Sequence, residues 1–153
     1  MGLKLHPVSS EEITEVEEFF TQSSIREFRE FFPVEMADFA AEHFNKQEFF
    51  YTARNNGELV GAIHFSIQGG VGHLAAIQVK KDLPLNLRER IRHKLFQKFI
   101  KSCNEKECHL SLVWIPYQYR DAIDYYLKQG FEKEYTARNF WYKNDFILLT
   151  KEL

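Results

Sequence analysis

A chain of 153 residues with 44% hydrophobic and 27% charged residues has ordinary globular composition, and that length buries roughly two-thirds of its unfolded surface, so one domain spanning 1–153 is expected. The formal net charge of -2 argues against a general polyanion binder, leaving any basic function to a local patch. Met1 to Pro7 lack the apolar core of a secretory signal, and no apolar run approaches the roughly 20 residues that span a bilayer, so a soluble cytoplasmic protein without membrane or nucleic-acid partners is expected.

Leu3 to Val8 read as a short strand. Ser9 and Glu12 have capping-box spacing, and Ile13, Val16 and Phe20 then mark the apolar stripe of a first helix. A connector ends at Pro33, after which Met36, Phe39, Ala40, His43 and Phe44 define one face of a second helix. Phe49 to Arg54 reads as a strand, Asn55 to Gly57 as a turn, and Glu58 to Gln68 as a longer strand with alternating Leu59, Gly61, Ile63, Phe65 and Ile67.

Gly69 and Gly70 suit a two-residue hairpin loop into Val71 to Val79. That loop sets Gln68 opposite Val71, Ser66 opposite His73 and His64 opposite Ala75. His64 and His73 then share one face as diagonal neighbours roughly 7 to 8 Å apart, with Ala75 and Ile77 on the face of His73. An amphipathic helix follows on Leu87, Ile91, Leu95, Phe96, Phe99 and Ile100, with Asn86 and Glu89 at capping spacing. Cys103 and Cys108 have no further ligands at zinc spacing and read as free thiols, so no metal site is expected. His109 to Ile115 is a strand, and Glu134 to Tyr142 and Phe146 to Lys151 read as a final hairpin.

Between these strands, Asp121 to Phe131 reads as a short helix. Ala122, Ile123, Tyr126 and Leu127 recur at helical spacing, Gly130 stops the helix, and Phe131 folds back on its last turn. The order Ala122, Tyr126, Lys128, Gly130, Phe131 resembles the A-x-x-x-Y-x-K-x-G-F signature of the GNAT superfamily of N-acyltransferases. The element order β-α-α-β-β-β-α-β-α-β-β is similar to that family's along the whole chain. The resemblance implies an α/β fold of the GNAT type: a mixed, mostly antiparallel six- to seven-stranded sheet with helices on both faces.

The resemblance also implies chemistry. It makes acetyl-CoA the cosubstrate, a small-molecule or peptide amine the acceptor, and direct transfer in a ternary complex the reaction, with Tyr126 as the acid that reprotonates the thiolate. Ile77, Gln78 and Val79 match the family strand that holds the pantetheine arm. Leu87, Arg88, Arg90, Ile91 and Arg92 stand in the segment that matches its pyrophosphate loop, with arginines where the glycines would sit, so guanidinium side chains replace close amide approach. These arginines are either a phosphate clamp or a solvated helix face. Tyr119 stands where the family often has Asn.

His73, six residues before Val79, matches a position that carries a general base in family members, and it reads equally as a structural histidine; His64 reads as structural or as a supporting contact. Phe28, Phe31, Phe32, Trp141 and Tyr142 would line an acceptor entrance or belong to the core. The aromatic C-terminal hairpin is compatible with a homodimer. The competing reading of the chain is a noncatalytic GNAT-like module that binds an acyl-CoA, a peptide or a partner subunit.

Overall fold

Alternating apolar residues pair the chain into one seven-stranded sheet, seen in a computed structural model that describes residues 2–21, 48–141 and 143–153. Strand β1 (Leu3–Pro7) leads through a 3-10 turn (Ser10–Glu12) into α1 (Ile13–Thr21). Then come β2 (Glu48–Asn55), β3 (Glu58–Gln68), β4 (Val71–Val79), α2 (Leu85–Glu105), β5 (Leu110–Pro116), α3 (Arg120–Lys128), β6 (Glu132–Trp141) and β7 (Asn144–Glu152). The expected helix at 36–44 lies outside the described residues, as do Phe28, Phe31, Phe32, Tyr142 and the side chain of Trp141. Among the described residues, no helix is long and apolar enough to cross a membrane.

The sheet order is β1-β2-β3-β4-β5-β7-β6. Among the described strands only the β4–β5 pair is parallel, as its long crossover through α2 requires. On one face, Ile91, Leu95, Phe96, Phe99 and Cys103 of α2 pack on Ile63, Phe65 and Leu74. On the other, Val16, Phe19 and Phe20 of α1 pack with Phe50 and Ala62. The α1 entry is held as its sequence suggests, with Glu12 Oε1 accepting the Ser9 N–H at 3.0 Å. Arg54 of β2 then pairs with Glu12 at 2.7 Å and with Glu15, which ties the helix start to the sheet.

Gly69 and Gly70 both have positive φ, 62° and 78°, as a type I′ hairpin turn requires. The register they set holds for Gln68↔Val71 and Ser66↔His73, but a bulge between His64 and Phe65 then pairs His64 with Ala76 instead of Ala75. One extra residue on β4 reverses the alternation beyond it. Ala76 therefore joins the α1 face and Ile77 the α2 core, so His73 does not share a face with Ile77 as the unbroken alternation predicts.

Helix α2 also departs from expectation. It begins at Leu85 with Pro84 as its cap, the Pro84 carbonyl accepting the Arg88 N–H at 3.0 Å. Asn86 sits inside the first turn, where its Oδ1 accepts the Leu87 N–H at 2.9 Å.

Close contact between α2 and β4 depends on Gly72. A Cβ there would stand 2.3 Å from Cys103 Sγ and 3.2 Å from Phe99 Cε1. Gly72→Ala is expected to cost about 1–3 kcal/mol of unfolding free energy through overpacking. In urea melts, the Gly72→Ala, Cys103→Ala double variant should lose less than the sum of the two single variants, because one deletion makes room for the other insertion.

Candidate active site

Strands β4 and β5 stay together only from Val71↔Leu110 to Leu74↔Val113. Beyond that point β4 runs on to Val79 and β5 to Pro116 without pairing to each other. The edge of β4 from Ala75 onward thus keeps backbone groups that β5 does not satisfy, and buried groups of that kind call for a partner. A cleft of about 440 Å³ occupies the gap. It reaches both faces of the sheet: Ile77, Arg92, Tyr125 and Tyr126 line it from the α2 side, Ala76 and Trp114 from the α1 side.

Helix α3 forms one wall. Gly130, at φ 94°, ends it, and the Phe131 N–H returns to the Tyr126 carbonyl at 3.1 Å. Ile123 and Tyr126 are its buried residues, while Leu127, expected on the inner stripe, is 43% exposed. The Tyr126 ring is boxed by Tyr125, Phe131 and Phe96 at centroid distances of 5.2, 5.6 and 5.7 Å. Its hydroxyl makes no hydrogen bond among the described residues. Burial pushes this phenol's pKa up, neighbouring Tyr125 adds to the rise and Arg92 opposes it, so the group holds its proton well past neutrality.

Tyr125, the residue before Tyr126 on α3, also lines the cleft. Its hydroxyl is 3.0 Å from His93 Nδ1, and burial pushes its pKa up to about 12 against the opposing charge of Arg92. His93 therefore joins α2 to α3 beside the cleft, a polar tie that periodicity alone could not reveal because it links two helices distant in sequence. Tyr119 caps α3 and lines the cleft as well.

His73 pairs with Leu112 across the last stretch before the strands diverge, on the α1 face of the sheet. It borders the opening without being one of the residues that line it. Desolvation lowers its pKa, His64 lowers it further, and Glu48 works in the opposite direction. His64 stacks on Phe50 with centroids 4.1 Å apart and meets Glu48 Oε2 at 2.6 Å through Nε2. An imidazole next in sequence to the cleft-lining Leu74, its pKa lowered by desolvation, is thus backed by an imidazole–carboxyl pair.

The expected coenzyme-binding residues divide. Ile77 and Arg92 line the cleft, whereas Gln78 pairs with Ala62 and Val79 is buried opposite Gly61. Leu87 and Ile91 pack into the α2 core. Because the helix starts at Leu85, the amides of Arg88 to Arg92 lie inside it and cannot cradle an anion. Arg88 and Arg92, one helical turn apart, share an edge, and Arg88 Nε is buried without a hydrogen-bond partner among the described residues. Arg90 lies off that edge and is exposed.

Comparison with known proteins bears directly on this arrangement. Residues 9–142 match the family model of the acetyltransferase (GNAT) domain. Among curated proteins no match is found. A probable acetyltransferase from Staphylococcus epidermidis superposes with a TM-score of 0.83 at 14% identity, covering 98% of both chains. The ribosomal-protein-S18-alanine N-acetyltransferase of Escherichia coli gives 0.80 at 14% identity, covering 98% of this chain and 93% of that one. The PaiA N-acetyltransferase of Thermoplasma acidophilum, solved in complex with coenzyme A, gives 0.79 at 17% identity with both chains fully covered. At such identities the superpositions speak for the fold alone, and it is the family model, spanning most of the sequence, by which this chain belongs to the GNAT acetyltransferases.

Proposed function

We propose that this chain transfers an acetyl group from acetyl-CoA to a primary amine by direct attack in a ternary complex, with Tyr126 as general acid and His73 as general base. The observation that carries the reading is the divergence of β4 from β5 beside Tyr126, whose hydroxyl has no hydrogen-bond partner among the described residues and whose pKa burial raises. Acetyl-CoA supplies the activated acetyl thioester, and free backbone groups of β4 from Ala75 onward are suited to hydrogen-bond an extended amide-bearing arm. That a protein of the same fold was solved in complex with coenzyme A supports acetyl-CoA as the cosubstrate.

An amine attacks only when neutral. His73, kept unprotonated by burial, accepts its proton from the α1 side, directly or through water. Tyr126 stands on the opposite side and donates to the departing sulfur. The desolvation that raises the phenol's pKa also raises the basicity of a thiolate released into the same cleft, so their proton affinities move together.

Phosphate recognition falls to side chains. Arg92 in the cleft and Arg88, whose Nε has no partner among the described residues, supply guanidinium donors where the backbone amides of Arg88 to Arg92 are already committed to the helix. Arg92→Ala is expected to weaken acetyl-CoA on the order of tenfold or more, while S-acetylpantetheine, which lacks the nucleotide phosphates, should bind both proteins alike. Arg90→Ala should change little. Calorimetry on the three proteins checks this, and equal acetyl-CoA affinity for wild type and Arg92→Ala would remove the clamp.

The reading as a whole is tested by heating the protein with acetyl-CoA and then following thiol release with a panel of primary amines. A ligand-dependent rise in melting temperature together with amine-dependent thiol release is the expected result. Binding without release from any amine would favour a noncatalytic acyl-CoA module.

A further inference from the structure

We infer that the acceptor side of the cleft is an aromatic slot, built on Trp114 and Phe140, that selects a primary amine carried one to three carbons from a flat aromatic ring. This inference rests on the acetyltransferase reading for the fate of the amine, but not for its binding.

The slot begins with an irregularity in β6. Ala137 pairs with Phe146 and Trp141 with Asn144, so three residues of β6 stand opposite Asp145 alone. The excess chain is fixed rather than loose: Asn139 adopts φ 48° and donates its N–H to Asp145 Oδ1 at 3.0 Å. A non-glycine residue in the left-handed region is costly unless the surroundings over-determine it. Its consequence is the position of Phe140, whose ring reaches across β7 to stack on Trp114 at 5.2 Å and 14°, with the edge of Phe146 at 5.7 Å.

Phe140 is 53% exposed. It covers one face of the indole, and Trp114 still borders the cleft. Trp114 stands two residues beyond Leu112, the partner of His73, on the same face of the sheet. Strand geometry puts the Cα atoms of Trp114 and His73 about 8 Å apart. A ring lying against the indole can therefore present an amine on a short tether to the imidazole.

Charge narrows the class further. Among the described residues that line the cleft, Arg120 and Asp121 offset each other and Arg92 is given to the coenzyme phosphates, so no surplus of acidic side chains there holds the further cations of a polyamine or lysine-rich peptide. Arg120 is itself turned onto Tyr117, its NH2 donating to the phenol at 2.8 Å with the guanidinium 4.4 Å from the ring. That leaves an apolar, ring-walled entrance suited to a monoamine.

Binding can be read without turnover. The chain has two tryptophans, so the Trp141→Phe variant reports on Trp114 alone. Titrated with phenethylamine, its fluorescence should saturate at a concentration roughly tenfold or more below that needed for hexylamine, and spermidine should leave it unchanged. In the wild type, KM should follow the same order. Phe140→Ala, whose melting temperature is checked on the same preparation, should raise KM for phenethylamine roughly tenfold and leave KM for hexylamine nearly unaltered.

Equal half-saturation for phenethylamine and hexylamine, or no response of Trp114 to either, would overturn the slot. If acetyl-CoA still binds in calorimetry in that case, the acetyltransferase reading survives the failure. Discrimination by fluorescence in a protein that releases no thiol with any amine would uphold the slot and sink that reading instead.

Discussion

Tyr126→Phe is expected to lower turnover on the order of 10²-fold with little change in acetyl-CoA affinity or melting temperature. The substitution removes one oxygen and leaves the ring among Tyr125, Phe131 and Phe96. Since the hydroxyl has no hydrogen-bond partner among the described residues, its loss breaks no internal bond, and any stability change should be small and could favour the variant. A purely packing role predicts the same melting curve with activity per folded molecule preserved. Turnover measured beside melting on one preparation therefore separates the roles, and a fully active variant would leave the thiolate to be protonated by solvent or by Tyr125, which also lines the cleft.

Local signals made α3 and its stop readable, because helical spacing, a left-handed glycine and a folded-back Phe131 all act within eleven residues. The two glycines at 69 and 70 likewise set the β3–β4 register as far as His73. What defeated the alternation was the bulge at Ala75: a run of small residues such as Ala75 and Ala76 fits either face equally well, so nothing in the pattern marks where the phase changes. The start of α2 departs from its capping signal for a related reason. Asn86 and Glu89 have the spacing of a capping box, yet Pro84, with its fixed φ and its free carbonyl, begins the helix earlier.

That shift changes the chemistry of the site. It takes the amides of Arg88 to Arg92 out of reach and leaves guanidinium groups as the donors. The contacts hardest to anticipate join distant segments: His93 to Tyr125, Glu48 to His64, Phe140 to Trp114. Each depends on strand order and on a bulge or helix phase that only the assembled sheet fixes.

His73→Gln is expected to lower kcat/KM on the order of 10² or more and to remove the acidic limb of its pH profile. Because desolvation holds the folded pKa of His73 below the ordinary 6.5, the wild-type limb should fall on the acid side of that value. The same shift has a consequence for folding. The unfolded chain takes up the proton more readily, so this group's contribution to stability is intact above pH 6.5 and is lost as the pH falls through the folded pKa. His73→Gln should therefore flatten the acid dependence of unfolding whether or not the residue is catalytic, which makes melting data alone unable to assign the role. The kinetic limb can. If kcat/KM keeps its magnitude and its acid limb in a variant whose acid unfolding has flattened, His73 is a buried structural histidine and the proton leaves the amine by another route; if both change together, the imidazole beside Leu112 is the base.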